Sequence, residues 1–241
     1  MKPRPRVSVI IPVHNRIRLV RRAIASVFAQ TFSDFEVVVV DDCSTDGTAD
    51  ALAAWRSDLR LIRLARNQGP AAARNAGLAA ARGELAAFLD SDDVWRPAKL
   101  ARQIARFDDP SVVCAHSEID LSDASGRIVR RGHLAHVRPL YRDAPGWRGH
   151  EFVAISTAVV RRRAARAVGF DPGFAAASGI EDADFFIRLQ VAFGRSALRF
   201  DARALAVVRR SEFFDSGRSR GIDCKLDLLH WHMKNERGAY G

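Results

Sequence analysis

Residues Leu85-Ala86-Ala87-Phe88-Leu89-Asp90-Ser91-Asp92-Asp93 form an apolar run that ends abruptly in three carboxylates. An apolar run without polar alternation is typical of a strand buried on both faces of a parallel sheet. In open α/β sheets, ligands bind at the carboxyl ends of the strands. Carboxylates crowded at such an end suit a divalent cation that holds a diphosphate. For this stretch taken alone, a polar turn that caps the next helix is the alternative.

Two earlier segments share this arrangement of an apolar run followed by polar residues. The β-branched run at residues 35–40 ends in Asp41 and Asp42, and the apolar run at residues 7–13 leads into His-Asn-Arg at residues 14–16. Apolar side chains then recur at helical spacing, at Ile17, Val20, Ile24, Val27 and Phe28. This alternation of strand and helix predicts an α/β fold with a mixed, mainly parallel sheet flanked by helices.

The same patterns predict the other elements. Strands are expected near residues 7–13, 35–41, 59–64, 85–89, 112–116, 153–160 and 204–208. Helices are expected near residues 16–30, 46–56, 70–82, 96–107, 181–193 and 222–235. The stretch 122–149 is rich in Gly, Arg, His and Pro, which predicts a hairpin or a loop inserted over the sheet.

Composition favours a single domain that spans residues 1–241. The chain is 48% hydrophobic, and no Gly/Ser-rich linker divides it. The first apolar run is too short for a signal peptide, and no stretch of about 18 apolar residues could span a bilayer. The cysteines at positions 43, 114 and 224 are too scattered for a disulfide framework. We therefore expect a reduced, cytoplasmic setting, or a peripheral position on the inner face of the membrane.

The formal net charge of +10 has two interpretations. A solvated basic surface is the simpler one. The other is attraction of an anionic acceptor, a lipid head group or an anionic membrane surface by the second-half arginines at positions 161–163, 209–210, 218 and 220. A nucleic acid partner is not expected, because the chain carries no zinc-finger spacing, aromatic RNA-binding motif or helix-turn-helix. The sequence gives no indication of the oligomeric state.

Five segments carry a resemblance to a known family. They are residues 12–16 (Pro-Val-His-Asn-Arg), 40–48 (Val-Asp-Asp-Cys-Ser-Thr-Asp-Gly-Thr), 67–77 (Asn-Gln-Gly-Pro-Ala-Ala-Ala-Arg-Asn-Ala-Gly), 83–93, and 179–186 (Gly-Ile-Glu-Asp-Ala-Asp-Phe-Phe). In order and spacing they closely resemble the family 2 glycosyltransferases of the GT-A fold. Between residues 96 and 178 the likeness is only general.

The resemblance implies an enzyme that moves a sugar, with inversion, from a nucleotide-sugar donor, expected to be a UDP-sugar. Mg²⁺ or Mn²⁺ would stabilise the diphosphate that leaves. The acceptor would be a hydroxyl of a saccharide or of a lipid-linked precursor, in the synthesis of cell-envelope polysaccharide or glycoconjugate. Residues 1–95 would form the nucleotide-sugar half and residues 96–241 the acceptor half.

For the loop after residue 89, the resemblance implies a metal and nucleotide site. Asp92 corresponds to a direct metal ligand, and Asp93 to a possible second one. A helix cap ahead of Arg96 is the alternative for Asp93. Asp90 would face the ribose or support a ligand, and Ser91 lies in the same loop.

Other donor-site residues follow from the earlier segments. Asp42 matches the family position that hydrogen-bonds the base, and Pro12 and Asn15 would line the nucleotide pocket. Arg74 would meet a phosphate, with an ordinary surface charge as the alternative. Ser44, Thr45 and Asp46 are interpreted as helix caps, and Asp41 is interpreted as a structural residue.

The segment 179–186 supplies the expected general base, Asp182, which would take the proton of the acceptor hydroxyl. Acids in a first helical turn are ordinarily partners of the helix dipole, which is the alternative for Asp182. Glu181 and Asp184 flank it. The His-Trp-His of residues 230–232 lacks a metal-binding partner pair and would pack on the fold or close over the donor.

The motifs also bear on other classes of protein. A nicotinamide-dependent dehydrogenase is excluded because no G-x-G-x-x-G follows the first strand. A P-loop enzyme or a serine hydrolase is excluded because neither motif is present. A catalytically degenerate, nucleotide-binding relative that acts through its basic surface is the remaining alternative, and the presence of both Asp92 and Asp182 argues against it.

Overall fold

The computed structural model describes residues 4–55, 59–135, 150–173 and 181–209. Nine strands of this part form one sheet. They are β1 (Val7–Val13), β2 (Phe35–Asp41), β3 (Arg60–Arg63), β4 (Leu85–Phe88), β5 (Val94–Trp95), β6 (Cys114–Ser122), β7 (Ile128–Arg130), β8 (Val159–Arg161) and β9 (Leu198–Arg209). The helices are α1 (Ile17–Phe28), α2 (Thr48–Trp55), α3 (Gly69–Ala80), α4 (Lys99–Ile104), α5 (Arg162–Val168) and α6 (Glu181–Phe193).

The strand order is β3-β2-β1-β4-β8-β6-β9-β5, and β7 pairs with β6. The pairs β1–β2, β2–β3, β1–β4 and β6–β9 are parallel, whereas β8 runs antiparallel to both β4 and β6. Because β1 lies between β2 and β4, the order of the parallel strands reverses at β1. Such a reversal leaves a crevice at the carboxyl ends of the strands, where α/β proteins bind their ligands.

The sheet is buried on both faces. On one face, Val9 and Ile11 of β1 pack with Val20 and Ile24 of α1. On the other face, Ile10 packs in a cluster that includes residues of α3, α5 and α6. Gly77 allows α3 to approach the sheet, because a Cβ at that position would lie 2.4 Å from Cγ2 of Ile10. The continuous apolar runs are therefore central parallel strands, as predicted.

Three predicted strands differ from the observed ones. The predicted strand at 153–160 is wrong over most of its length, because Ile155–Thr157 is a 3₁₀ helix and β8 covers only Val159–Arg161. Strands β6 and β9 are longer than predicted. The prediction failed there because buried polar residues, such as Glu118 and Asp120 of β6, interrupt the apolar pattern.

The segment after β6 turns back as the β6–β7 hairpin, so the hairpin prediction is confirmed for its first part. Glu118 anchors the next segment, because its carboxylate accepts hydrogen bonds from the backbone N–H groups of Leu134 and Ala135. Residues 136–149, and the predicted helix at 222–235, lie outside the described residues. In the part of the chain that is described, no helix is both long and apolar enough to cross a bilayer.

Candidate active site

The predicted site residues of the first half meet at the carboxyl ends of β1, β2 and β4. Pro12 is buried in β1 and pairs in register with Val40 of β2. Asn15 follows β1 with a positive φ of 52°, which Asn tolerates better than most residues. Its side-chain oxygen accepts hydrogen bonds from the backbone N–H groups of Thr45 (2.7 Å) and Asp46 (3.3 Å). Asn15 therefore ties the loop after β1 to the loop after β2.

The loop after β2 also starts α2. Asp46 accepts hydrogen bonds from the backbone N–H and the hydroxyl of Thr48, the first residue of α2, so its predicted role at a helix start is confirmed. Ser44 has a different role, since its hydroxyl accepts the backbone N–H of Asn15. Asp41 is fully buried, and its carboxylate accepts the backbone N–H of Ser44 at 3.2 Å. These contacts fix the shape of the crevice wall.

The Asp42 carboxylate contacts the backbone at the start of α3. One carboxylate oxygen accepts the backbone N–H of Gln68 at 2.8 Å, and the other accepts that of Gly69 at 2.7 Å. Gly69 has a φ of +84°, a conformation that favours glycine. Asp42 is only 4% exposed. The carboxylate therefore positions the Gly69 turn, and each of its oxygens retains a lone pair for a ligand N–H.

Arg74, on α3, reaches the loop after β4. It is 3% exposed, which rules out the surface-charge interpretation. Its Nη2 donates to Oδ1 of Asp90 at 2.8 Å, and its Nη1 donates to Oε1 of Glu181 at 2.9 Å. Burial alone would lower the pKa of the guanidinium, but the charges of Asp90 and Glu181 outweigh burial and raise it. Arg74 is therefore a buried cation between two carboxylates.

Asp92 lies among the other carboxylates of this loop. Burial, followed by the nearby charge of Asp90, raises the pKa of its carboxyl group. The largest opposing interaction comes from Arg16, whose Nη1 lies 2.8 Å from Oδ2 of Asp92. The Asp92 side chain keeps 19% of its surface exposed. A divalent cation at this carboxylate would relieve the crowding of negative charge.

Asp93 points into the protein. It is 4% exposed, and its carboxylate contacts the Ser156 hydroxyl at 2.5 Å and accepts the backbone N–H of Arg209 at 2.8 Å. Burial, and then the charges of Asp92 and Asp90, raise the pKa of Asp93 well above its ordinary value. It does not cap α4, whose N-cap is Ala98. Both of its oxygens accept hydrogen bonds within the protein, and these bonds hold the end of this loop. Metal ligation by Asp93 stays a prediction.

Ser156 and Arg209 contact the acids of this loop, and sequence reasoning missed both contacts. Ser156 is 1% exposed, and its hydroxyl also accepts the backbone N–H of Asp90 at 3.1 Å. The indole of Trp95 donates to the Ser156 carbonyl at 2.7 Å. Ser91, next to Asp90, is 5% exposed. No local signal could have identified Ser156, because its partners lie more than 60 positions away in sequence.

Asp182 lies in the first turn of α6, beside Glu181. Its carboxylate accepts the backbone N–H of its neighbour Ala183 at 2.8 Å, and its charge acts on Arg74. Asp184 instead pairs with Arg188, which also donates to the carbonyls of Val168 and Gly169. Of the three acids, Glu181 and Asp184 are buried and held by arginines, whereas Asp182 is partly exposed. Asp182 is therefore the acid best placed to meet a ligand.

The donor set fits a metal that is shared with a substrate. Among the described residues, no three His, Cys, Asp or Glu side chains are grouped so that they could hold an ion by themselves. Mg²⁺ in nucleotide enzymes is usually bound through one or two carboxylates together with substrate phosphates. Asp92 meets this requirement as a single, partly exposed carboxylate with excess negative charge around it.

Part of the basic sequence is structural. The Arg161 guanidinium is 12% exposed and contacts Glu84 and the carbonyls of Val112 and Phe107. The backbone N–H of Arg209 binds Asp93. The arginines at 210, 218 and 220 and the His-Trp-His at 230–232 lie outside the described residues.

Solved structures with similar folds bind sugar nucleotides. TarS of S. aureus, residues 1–349 in complex with UDP-GlcNAc, is 24% identical with a TM-score of 0.67, over 92% of this chain and 65% of that chain. The mannosyltransferase PcManGT of Pyrobaculum calidifontis, in complex with GDP-Man and Mn²⁺, is 24% identical with a TM-score of 0.63, over 86% and 57%. At this identity the likeness establishes the fold, which is the predicted GT-A fold.

Two relatives match part of the chain with higher identity. The succinoglycan biosynthesis protein ExoO of Rhizobium meliloti is 45% identical over 127 residues, 52% of this chain and 36% of ExoO. TuaG of Bacillus subtilis, named for teichuronic acid biosynthesis, is 41% identical over 104 residues, 42% of this chain and 41% of TuaG. The chain thus spans less than half the length of either relative. The model of the family described as "Glycosyl transferase family 2" matches residues 8–169, well over half of the chain, and the chain therefore belongs to that family.

Proposed function

We propose that this protein transfers a sugar from a nucleotide-sugar donor, a UDP-sugar, to a hydroxyl of a saccharide or lipid-linked acceptor, with inversion at the anomeric carbon. One observation carries the proposal. Arg74 brings Asp90, from the loop after β4, and the first turn of α6 to the same guanidinium. The loop that would hold the diphosphate therefore lies beside Asp182, the acid that would act on the acceptor.

The nucleotide would occupy the crevice between the loops after β1 and β2. The fixed loop at Asn15 and the buried Pro12 provide a rigid wall. Asp42 would accept the ring N–H of uracil, and Asp90 would face the ribose, with Ser91 beside it. TarS complexes with UDP and with UDP-GlcNAc support uridine as the base. The GDP-Man complex of PcManGT makes guanosine the base to compare in the experiment.

Asp92 would hold Mg²⁺ or Mn²⁺, and the metal would neutralise the negative charge that develops on the departing diphosphate. Arg16 is 2.8 Å from Asp92 and would have to leave that oxygen or share it. The Mn²⁺ in the PcManGT complex supports a divalent cation in this fold.

Asp182 would take the proton from the attacking hydroxyl. Its partly exposed carboxylate at the start of α6 leaves room for an acceptor, in contrast to the buried Glu181 and Asp184. A single base on the face opposite the leaving group is what inverting transfer requires.

The names of ExoO and TuaG support a role in polysaccharide synthesis, with a hexose or a related sugar as the transferred group. A lipid-linked acceptor would bring the protein to a membrane surface. The net charge of +10 supports peripheral contact with anionic lipids on the cytoplasmic face.

Calorimetric titration tests the donor site. UDP and GDP are titrated, with and without Mn²⁺, into wild type, Asp92→Ala and Asp50→Ala, the last being an exposed acid on α2 that pairs with Arg63. We expect Mn²⁺ to tighten UDP binding about tenfold or more in wild type and in Asp50→Ala, because diphosphate and carboxylates otherwise repel one another. In Asp92→Ala the metal effect should be lost. Equal affinities in all cases would remove Asp92 from the site, and a preference for GDP would change the donor class.

The sugar is then identified by testing a panel of UDP-sugars for Mn²⁺-dependent thermal stabilisation, followed by turnover of those that bind. Binding without turnover of any sugar nucleotide would favour the degenerate, nucleotide-binding alternative.

A further inference from the structure

Arg74 joins two parts of the chain that are far apart in sequence. It belongs to α3, its partner Asp90 follows β4, and its partner Glu181 begins α6, 107 positions further along than Arg74. Side-chain exposure is 4% for Arg74 and 7% for Glu181. The loop after β4 (residues 89–93), which we call the donor loop, and helix α6, which we call the catalytic helix, therefore share one buried cation.

The geometry makes this contact directional. A guanidinium is planar and presents its N–H groups in a fixed fork, so two carboxylates bound to different nitrogens are held at a fixed separation and angle. The Phe170 ring lies 5.4 Å from the guanidinium carbon and limits its movement. Neighbouring Asn75 donates to and accepts from the backbone of Phe170, at 2.7 Å and 2.9 Å. Arg74 is thus clamped in its place.

The position of Asp182 depends on the same contact. Glu181 and Asp182 are adjacent in the first turn of α6, so a shift of Glu181 moves Asp182 with it. The other ion pair of this turn, between Asp184 and Arg188, ties the helix to the carbonyls of residues 168 and 169. The Arg74–Glu181 bond therefore sets the distance between Asp182 and the donor loop.

We propose that Arg74 is a positioning residue that couples donor loop and catalytic helix, acting on sugar transfer through Glu181 and not only through donor binding. This inference rests on the proposed function. A small misplacement of a catalytic group can reduce the rate by about 10²-fold, even when substrates still bind. Loss of the Arg74–Glu181 contact should accordingly lower kcat more than it weakens the donor.

A ligand role for Arg74 predicts a different outcome. If its principal task were to bind the diphosphate, substitutions of Arg74 would raise the Kd for UDP, and substitutions of Glu181 would act independently of them. The distinction is measurable, because a positioning pair shows coupled effects on kcat whereas independent residues show additive ones.

The experiment is a double-mutant cycle with Arg74→Lys, Glu181→Ala and the double variant, measuring kcat, donor KM, UDP affinity and Tm. We expect each single variant to lower kcat about 10- to 100-fold, with UDP affinity changed less than about threefold. The double variant should be no slower than the slower single variant. Glu181→Gln keeps an acceptor oxygen for Arg74 and should retain more activity than Glu181→Ala; it also serves if the alanine variant does not fold.

The matched control is the pair Arg102 and Asp201, which are 2.6 Å apart, with Asp201 9% exposed. Arg102→Lys and Asp201→Asn should lower Tm while kcat stays within about twofold of wild type, because this pair contacts neither Asp90 nor Glu181 in the structure. Additive effects of Arg74 and Glu181 on kcat, or a loss of UDP affinity that accounts for the whole defect, would overturn the coupling while leaving the proposed function intact. Absence of turnover in the wild type would overturn both.

Discussion

At the scale of single residues, the ion pair between Asp92 and Arg16 bears directly on the proposed metal site. Burial and the charge of Asp90 make the ionised form of Asp92 costly. The positive charges of Arg16 and, to a smaller extent, Arg209 offset this cost. The Arg16 side chain is 49% exposed, so solvent can take the place of Asp92 as its partner when a divalent cation binds the carboxylate. Arg16 and a divalent metal should therefore compete for the same carboxylate.

Arg16→Gln should bind Mn²⁺ more tightly than wild type in the absence of nucleotide, because a competing cation has been removed. An exposed ion pair contributes about 0.2–1 kcal/mol, so the expected gain is up to about fivefold in affinity. Titration followed by electron paramagnetic resonance of free Mn²⁺ measures it. Arg18→Gln, an exposed arginine on α1, controls for the change in net charge. An equal gain in both variants would show that Arg16 has no specific effect on Asp92.

Local sequence identified the acids of the site but not the network that holds them. Asp42, Asp90 and Asp92 could be found because each follows an apolar run, and such runs end at the ligand-binding edge of a sheet. Asp93 could not be separated from its neighbours by sequence, because its inward direction depends on Ser156 and on the backbone of Arg209. Contacts across 60 to 116 positions leave no trace in a local pattern.

At the scale of elements, prediction succeeded where burial is purely apolar. Strands β1, β2 and β4 were located to within one residue of their observed ends, since each is a continuous apolar run. Strand β5 has only two residues and pairs with β9, so it carries too little pattern to be recognised. The polar residues buried in β6 concealed its second half. Tertiary hydrogen bonds, such as those of Glu118 to the 134–135 backbone, permit that burial.

Helix α4 contains a buried lysine that should make the stability of the protein depend on pH. Lys99 is fully buried, donates to Oε1 of Gln103 at 2.7 Å and lies 4.1 Å from the centre of the Trp95 ring. Burial lowers the pKa of Lys99 well below its ordinary value of 10.5. Between these two pKa values the unfolded chain binds one proton more than the folded chain. Stability should therefore rise with pH across that window.

Lys99→Met keeps the apolar stem and removes this titration. Wild type should gain stability as pH rises through the window between the two pKa values of Lys99, and Lys99→Met should not. The free energy of unfolding of Lys99→Met minus that of wild type should therefore fall by up to about 1.4 kcal/mol per pH unit in that window, and should stay constant above the ordinary pKa. Urea unfolding of both proteins at about pH 7, 8.5 and 10 measures the difference. A difference independent of pH would mean that Lys99 stays protonated in the folded protein.

At the scale of the whole molecule, one sheet contains strands from both predicted halves. The halves meet where β4 pairs with β8 and where β5 pairs with β9. The family resemblance could be recognised from the first hundred residues because their motifs are local. The acceptor side could not be interpreted in the same way. Its specificity depends on loops rather than on the fold, and fold alone does not determine a substrate.

The basic surface gives a further prediction about the whole molecule. Arg163 and Arg166 are exposed on α5, whereas Arg161 is engaged within the protein. Binding to anionic liposomes should occur at low salt and decline as salt rises, because screening shortens the reach of surface charges. Arg163→Gln/Arg166→Gln should weaken it by about fivefold per arginine if α5 faces the membrane. Co-sedimentation across a salt series measures this, and no binding at low salt would leave a solvated surface as the explanation of the charge.

We propose that the loop at Asp92 and the base Asp182 form one active site. The most direct test is the release of UDP from the selected UDP-sugar by wild type and Asp182→Asn, with UDP affinity and Tm measured on the same preparations. We expect unchanged affinity and Tm with turnover lower by about 10²–10⁴-fold, because the amide keeps size and polarity but cannot take the proton. Near-wild-type turnover in a folded Asp182→Asn protein would remove Asp182 from the mechanism.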